Sequence, residues 1–115
     1  MVNIDVLTAN ALQTKFNSEQ IYHDTLPEHG NYPMVVYSDL TETPALHADN
    51  KLYAREHIIR VTLVTYGNHE INTYKKDIYD AMTNAGFMWQ NTAKARDNNE
   101  YYTTQDFSIG NLEEV

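Results

Sequence analysis

Residues 54–68, AREHIIRVTLVTYGN, limit the fold more than any other stretch, because they read as one long β-strand with two unlike faces. Alternate positions place an aliphatic set on one side: Ile59, Val61 and Leu63. The other side mixes apolar, hydroxyl and charged residues: Ile58, Arg60, Thr62, Val64 and Tyr66. The first face is typical of a strand that packs on a core. The second face must contact either the protein's own sheet or a neighbouring molecule.

Composition bounds the classes of protein to which the chain can belong. Its 115 residues and 42% hydrophobic content predict a single domain over residues 1–115. The net charge of −8 disfavours binding to nucleic-acid phosphates or to an anionic membrane surface. The absence of cysteine excludes disulfides, thiolate nucleophiles and cysteine-ligated metals. Residues 1–8 lack the basic start and apolar run of a signal peptide. With no cysteine in the sequence, an intracellular protein is the simple expectation.

Helical periodicity occurs twice in the chain. In residues 4–16 and 71–85, apolar side chains recur at the three-and-four spacing of one helix face. Asn68 is a candidate cap for the second helix, and Gly86 stands where that helix would end. We therefore predict two amphipathic helices.

Four segments have the composition of β-strands: 34–40, 54–66, 87–92 and 101–110. Ile21 and Tyr22 suggest a further short extended piece, and residues 93–100 read as a charged turn. The order helix-strand-strand-helix-strand-strand predicts an α+β fold, with a mainly antiparallel four-stranded sheet and both helices packed on one face. We predict that the long polar connection at about 41–53 is a flexible loop and that the acidic end at 111–115 frays.

Histidine and carboxylate residues raise the question of a metal site. They group loosely in sequence, at His23, Asp24, Glu28 and His29, at His47, Asp49, Glu56 and His57, and at His69 and Glu70. None of these groups has the spacing of a metal-ligand motif, so a structural or incidental role is favoured. The sequence also lacks a Gly-x-Ser-x-Gly elbow and a glycine-rich phosphate loop. We therefore predict neither an enzyme nor a cofactor; the alternative from these residues is a small metal-assisted hydrolase.

Arginine and aromatic residues supply the candidate interface. Nine tyrosines and one tryptophan in a short acidic chain fit either a small core or an assembly surface. We predict a subunit-interface set made of Arg55, Arg60, Tyr66, Trp89 and Tyr102. The loop adds candidate contacts at Asp49, Asn50, Lys51 and Tyr53. A strand arginine could instead pair inside the chain, with Glu56, Asp39 or Asp106 across the sheet.

The pattern of the whole chain resembles a known family. A short helix precedes IYHDTLPEHGNYPMVVYSDL, and YAREHIIRVTLVTYGN follows; then come a helix ending AMTNAGFMWQ and a strand YYTTQDFSIG. Over roughly residues 4–110, this order is similar to that of the tail terminator, or tail completion, proteins of long-tailed bacteriophages and prophages. The resemblance implies an α+β fold in which helices back a sheet, with no catalysis and no metal or nucleotide cofactor.

The resemblance also implies a place of action and a set of partners. Subunits are in the host cytoplasm before assembly, where they can be monomers in solution. In the virion they form a ring, commonly of six, on the head-proximal end of the tail tube. The ring stops polymerisation of the major tail tube protein and offers a docking surface to the head connector or stopper protein. DNA only passes through the lumen, where acidic residues would repel phosphates. We predict that Arg60 lies near an acidic residue of the neighbouring copy. An alternative function, from a different class of protein, is that of an acidic inhibitor of a basic host protein.

Overall fold

The computed structural model of the chain describes residues 3–28, 30–40, 54–67 and 70–112, with the backbone alone at 54–56, 111 and 112. Two α-helices, a short 3-10 helix and five strands follow one another in this order: α1 Ile4–Leu12, the 3-10 helix Ser18–Gln20, β1 Ile21–His23, β2 Met34–Asp39, β3 Ala54–Tyr66, α2 Ile71–Asn84, β4 Met88–Asp97 and β5 Glu100–Leu112. The predicted loop at 41–53 and residues 113–115 lie outside the described residues. Residues 111 and 112 belong to β5.

The five strands form one mixed sheet in the order β1-β2-β3-β5-β4. Strand β1 runs parallel to β2, and the other three pairings are antiparallel. The α+β class is therefore confirmed, but the predicted four antiparallel strands are one strand short. The short extended piece at Ile21 and Tyr22 is the missing strand, and it can pair in parallel because residues 24–33 carry the chain back to the start of β2.

Both helices pack on one face of the sheet, as predicted. The buried cluster joins α1 and α2 to the inward side chains of β2, β3 and β5: Ile4, Leu12, Val35, Tyr37, Ile59, Val61, Leu63, Ile78, Met82 and Phe107. Ile59, Val61 and Leu63 are fully buried, which confirms the aliphatic face of β3 as core. Burial of each such side chain contributes about 1.5–3 kcal/mol to folding, so this layer fixes the register of β3 in the sheet.

The hairpin of β4 and β5 differs most from the prediction. Residues 93–97, which we read as part of a charged turn, continue β4, and the turn consists of Asn98 and Asn99 alone. Asn98 has a φ of 58°, a left-handed conformation that asparagine tolerates and that tight hairpins require. The prediction was wrong because β4 is an edge strand that is almost wholly exposed, and such strands carry charged residues without leaving the sheet.

The helix ends follow local chemistry. Helix α1 ends at Leu12 rather than at residue 16, and Phe16 turns back into the core after the helix. Helix α2 ends as predicted, because Gly86 adopts a φ of 103° that a side chain would disfavour. Glu70 stands at its N-cap, and the candidate cap Asn68 lies outside the described residues.

Candidate functional site on the open face and edges of the sheet

The sheet face opposite the helices is the natural place to look for a contact surface. We call it the open face and define it by the residues that the register aligns in its middle: Val36, Ser38, Arg60, Thr62, Thr104 and Asp106. Neither helix packs on this face, because the helices cover the side that carries Ile59 and Val61. The hydroxyls of Thr62 and Thr104 lie 3.3 Å apart across β3 and β5. The second side of β3 is thus a polar stripe in its centre.

Arg60 is held at the middle of the open face by Asp106. Its Nε donates to Oδ1 at 2.9 Å and its Nη2 donates to Oδ2 at 3.1 Å, a two-point geometry that suits a guanidinium and a carboxylate. The hydrogen bond to Asp106 raises the pKa of Arg60. The arginine side chain is 48% exposed and the aspartate side chain 11%. The internal pair, one of the alternatives for Arg60, is therefore present, and a contact of Arg60 with a neighbouring copy stays a prediction.

At the end of the open face near the β4–β5 turn lies a group that we call the tyrosine cluster, made of Tyr32, Tyr66, Tyr102 and Glu100. Tyr32 and Tyr102 each donate a hydrogen bond to the Glu100 carboxylate, Tyr102 at 2.9 Å. The rings of Tyr32 and Tyr66 are 5.6 Å apart between centroids. The two phenol donors lower the pKa of Glu100, and the same bonds raise the pKa of Tyr32 to about 12 and raise that of Tyr102. The structure thus brings together Tyr66 and Tyr102, two of the five predicted interface residues.

Next to the tyrosine cluster, the segment after β1 crosses the open face and encloses a cavity of about 410 Å³. Its lining includes Leu26, Gly30, Met34 and Val64. Val64 is fully buried and Met34 is 5% exposed, so this end of the face is covered by the protein's own chain. Gly30 allows the close approach, because a Cβ there would stand 2.6 Å from the Met34 sulfur.

Trp89 lies on the other side of the sheet from the tyrosine cluster. It is paired in register with Phe107, which faces the helices, and its indole Nε1 donates to Thr92 Oγ1 at 2.9 Å. A groove of about 500 Å³ runs there between α2 and β4. Its walls and floor are formed by Asn72, Lys75, Lys76, Tyr79, Trp89, Thr92 and Gln105. The predicted interface set is therefore divided between two surfaces.

The remaining predicted residues cannot be joined to either surface. The Arg55 backbone pairs with residue 111 at the far end of β3, and its side chain is outside the described atoms. The loop candidates Asp49, Asn50, Lys51 and Tyr53 also lie outside the described residues. Sequence reasoning missed Tyr32 and Glu100. One signal for Glu100 was present in the sequence. Glu100 directly follows the Asn-Asn pair, and the tight turn at this pair places it opposite Asp97 in the hairpin.

The histidines for which a metal role was considered occur in small polar contacts. His57 Nδ1 lies 3.0 Å from an Asp39 oxygen, and His23 Nε2 lies 3.6 Å from oxygens of both Asp5 and Asp24. Within the described ranges, no group of three or more histidine or carboxylate side chains is arranged to hold a metal ion.

A scan of the chain against models of known protein families finds no match, and a search of curated proteins finds none either. Neither of the two α-helices in the described part of the chain is long and apolar enough to cross a bilayer. The geometry of the sheet and the resemblance in sequence pattern are therefore the basis for a functional proposal.

Proposed function

We propose that the chain is a structural subunit of the junction between the tail and the head of a long-tailed phage. Copies of it form a ring, commonly of six, on the head-proximal end of the tail tube; the ring ends polymerisation of the tube protein and receives the head connector. The observation that carries the proposal is the one-sided sheet: in the described part of the chain, both helices pack on one face, neither covers the other, and β1 and β4 end the sheet as edge strands. A small α+β subunit with these free surfaces can be repeated around an axis.

The chemistry of the tyrosine cluster favours binding over catalysis. A general acid or base works best with a pKa near the working pH. Here the hydrogen bonds from the two phenols lower the pKa of Glu100, and the hydrogen bond to Glu100 raises the pKa of Tyr32 to about 12. Near neutral pH the carboxylate is thus a poor proton donor and the phenols are poor proton acceptors. What the cluster offers is a set of aromatic rings held in place, with Tyr66 61% exposed, which is typical of an interface anchor.

The charge of the chain is consistent with a tube through which DNA passes. A net charge of −8 gives the assembled ring an acidic surface, and acidic residues that face the lumen would repel the phosphates and keep the DNA from binding. In this proposal DNA is cargo rather than ligand, and the partners are further copies of the chain, the tail tube protein and the head connector.

Deletion of the gene from the phage or prophage that carries it tests the proposal. Negative-stain electron microscopy of the lysate should show filled heads separated from tails, with tails that are irregular or overlong. Expression of the intact gene from a plasmid should restore joined virions, which controls for effects on neighbouring genes. Normal virions from the deletion phage would refute the proposed function.

A further inference from the structure

The edge of the sheet formed by β4 carries cations on the same side as α2. Lys94 and Arg96 are paired in register with Thr103 and Tyr101, so they project on the helix side of the sheet, where α2 presents Lys75 and Lys76. Half of the eight lysines and arginines of the chain therefore lie on these two neighbouring elements. We call this surface the basic edge.

Most of the charges on the basic edge have no acidic partner. Lys76 pairs with Asp80 at 2.8 Å. Lys75, Lys94 and Arg96 form no ion pair with any carboxylate in the described ranges. Arg96 does have partners inside the chain, because its Nε donates to the Asn98 carbonyl at 2.9 Å and its guanidinium lies 5.3 Å from the centroid of the Tyr101 ring. Unpaired cations on a protein with a net charge of −8 are a feature that an acidic partner surface would complement.

The opposite edge of the sheet, formed by β1, is acidic. Glu19 precedes β1 and Asp24 follows it. Asp5 of α1 lies near Asp24, because His23 Nε2 is 3.6 Å from an oxygen of each of these two aspartates. The side chains of Asp5 and Asp24 are 43% and 60% exposed. These three carboxylates outnumber Lys15, the one cation in the segment between α1 and β1. We call this surface the acidic edge.

The groove beside the basic edge adds an apolar part and an unpaired polar group. Trp89 and Tyr79 are 46% and 43% exposed there, and tryptophan and tyrosine are the side chains most often found at the energetic centre of interfaces. Gln105 on the groove floor is 2% exposed, and its side-chain amide makes no hydrogen bond with a described residue. Gln105 is not among the described residues that have a buried, unpaired side-chain atom, so its amide is open to the groove, where a partner can form a hydrogen bond with it.

We propose that copies of this chain bind head to tail, with the basic edge of one copy against the acidic edge of the next. This inference rests on the proposed ring and names the surfaces that build it. The two edges lie at opposite ends of the strand order, about 19 Å apart for five strands, so the contact is heterologous and repeats until the ring closes. Contact between two basic edges or two acidic edges would bring like charges together, which selects the head-to-tail arrangement.

The absence of cysteine makes a direct test simple. Glu19→Cys places a thiol on the acidic edge and Lys94→Cys places one on the basic edge. A short bis-maleimide should cross-link the two variants to each other in a mixture, and it should leave each variant alone mainly monomeric. The double variant should give a ladder of oligomers. Gly110→Cys, on the open face, is the matched control and should cross-link poorly with both, because it lies on a central strand and has open space for its side chain.

Charge reversal separates specific contact from random collision. Lys75→Glu combined with Arg96→Glu, in the Lys94→Cys variant, should reduce its cross-linking to Glu19→Cys about tenfold, and added salt should reduce cross-linking between the two single-cysteine variants. Asp24→Lys in the Glu19→Cys partner should restore the yield, because Asp24 lies on the same acidic edge and its side chain is 60% exposed. Circular dichroism of each variant shows whether the fold is kept, so a loss of cross-linking can be assigned to the surface.

Several results would overturn the proposal. Efficient homodimers of Lys94→Cys alone would show a symmetric contact between basic edges. The absence of any cross-link, both in a concentrated mixture and in tails assembled from the two variants, would show that the edges do not meet. A shift of Trp89 fluorescence on addition of polyglutamate, without cross-links between copies, would assign the groove to an acidic segment of another protein. Failure of the ring function is distinguishable: cross-links would form as expected while the deletion phage made normal virions.

Discussion

Replacement of Arg60 by methionine tests how the open face of the sheet is stabilised. Methionine keeps most of the aliphatic stem and removes the guanidinium, so the substitution isolates the pair with Asp106. The Asp106 side chain is only 11% exposed and would lose both of its bonds to Arg60, at 2.9 and 3.1 Å. A buried carboxylate that loses its partner is more costly than an exposed one.

The magnitude lies between two limits. Breaking a fully buried ion pair costs about 3–5 kcal/mol, whereas an exposed pair contributes about 0–1 kcal/mol. Because Arg60 is 48% exposed and Asp106 is buried, we expect a loss of about 2 kcal/mol in the free energy of unfolding. For a chain of 115 residues, this corresponds to a melting temperature lower by about 8 °C. Asp106→Asn should cost less, about 1 kcal/mol, because the arginine left behind can be solvated.

Urea denaturation followed by circular dichroism measures these differences. Lys15→Met is the matched control, because Lys15 is exposed and forms no ion pair with a described residue. The double variant Arg60→Met/Asp106→Asn should lose less than the sum of the single losses, since both substitutions remove the same interaction. A stability of Arg60→Met within about 0.5 kcal/mol of the Lys15→Met value would refute the internal role. Loss of virion assembly with unchanged stability would instead assign Arg60 to a neighbouring copy.

Glu100→Gln removes the carboxylate to which Tyr32 and Tyr102 donate. Those bonds lower the pKa of Glu100 from 4.5, so the stabilisation that they give is present above pH 4.5 and is lost as the pH falls through the lowered pKa. The urea midpoint of the variant should therefore vary less than that of the wild type between about pH 7 and about pH 3. An equal variation would contradict this account. Leu63→Ala, at a fully buried position, should lower the free energy of unfolding by about 2–5 kcal/mol. Val6→Ala, at an exposed position, should change it by less than about 0.5 kcal/mol. Similar urea midpoints for the two variants would rule out the assignment of Leu63 to the core. Gly86→Ala, at a φ of 103°, should cost about 1–3 kcal/mol, whereas Gly110→Ala has open space for its methyl group and should cost nothing; equal losses in denaturation would argue against backbone strain at Gly86.

Periodicity was enough to predict the parts of the fold that contain the core. Strand β3 and helix α2 have apolar faces with periods of two and of three to four, and the structure buries those faces against each other. The same reasoning failed for β4, because Lys94, Arg96 and Asp97 lie on an exposed edge strand, where burial imposes no apolar pattern. The parallel strand β1 was indicated only as a short extended piece. Its pairing with β2 depends on the path of residues 24–33, which sequence does not show.

The contacts of the candidate site depend on registers between distant parts of the chain. Arg60 meets Asp106 because β3 and β5 pair antiparallel in one register, and no turn joins these strands to indicate it. The sequence indicated Asp106 as one of three possible internal partners for the arginine, and only the register of the strands selects it. Tyr32 and Glu100 are 68 residues apart, and neither the spacing nor the type of residue indicates that they meet. Trp89 was grouped with Tyr66 by residue type, and the strand alternation placed the two on opposite sides.

The polar residues of β5 find their hydrogen-bond partners in different ways on the two sides of the sheet. This strand has neighbours on both sides and is buried over much of its length, so its polar side chains require partners. On the open face the chain supplies them: Arg60 bonds Asp106, and Gln90 donates to Ser108 at 2.7 Å. On the helix side, Gln105 has no such partner and opens into the groove beside Trp89. The groove beside the basic edge therefore offers a neighbouring copy a polar group that the described residues of the protein do not bond.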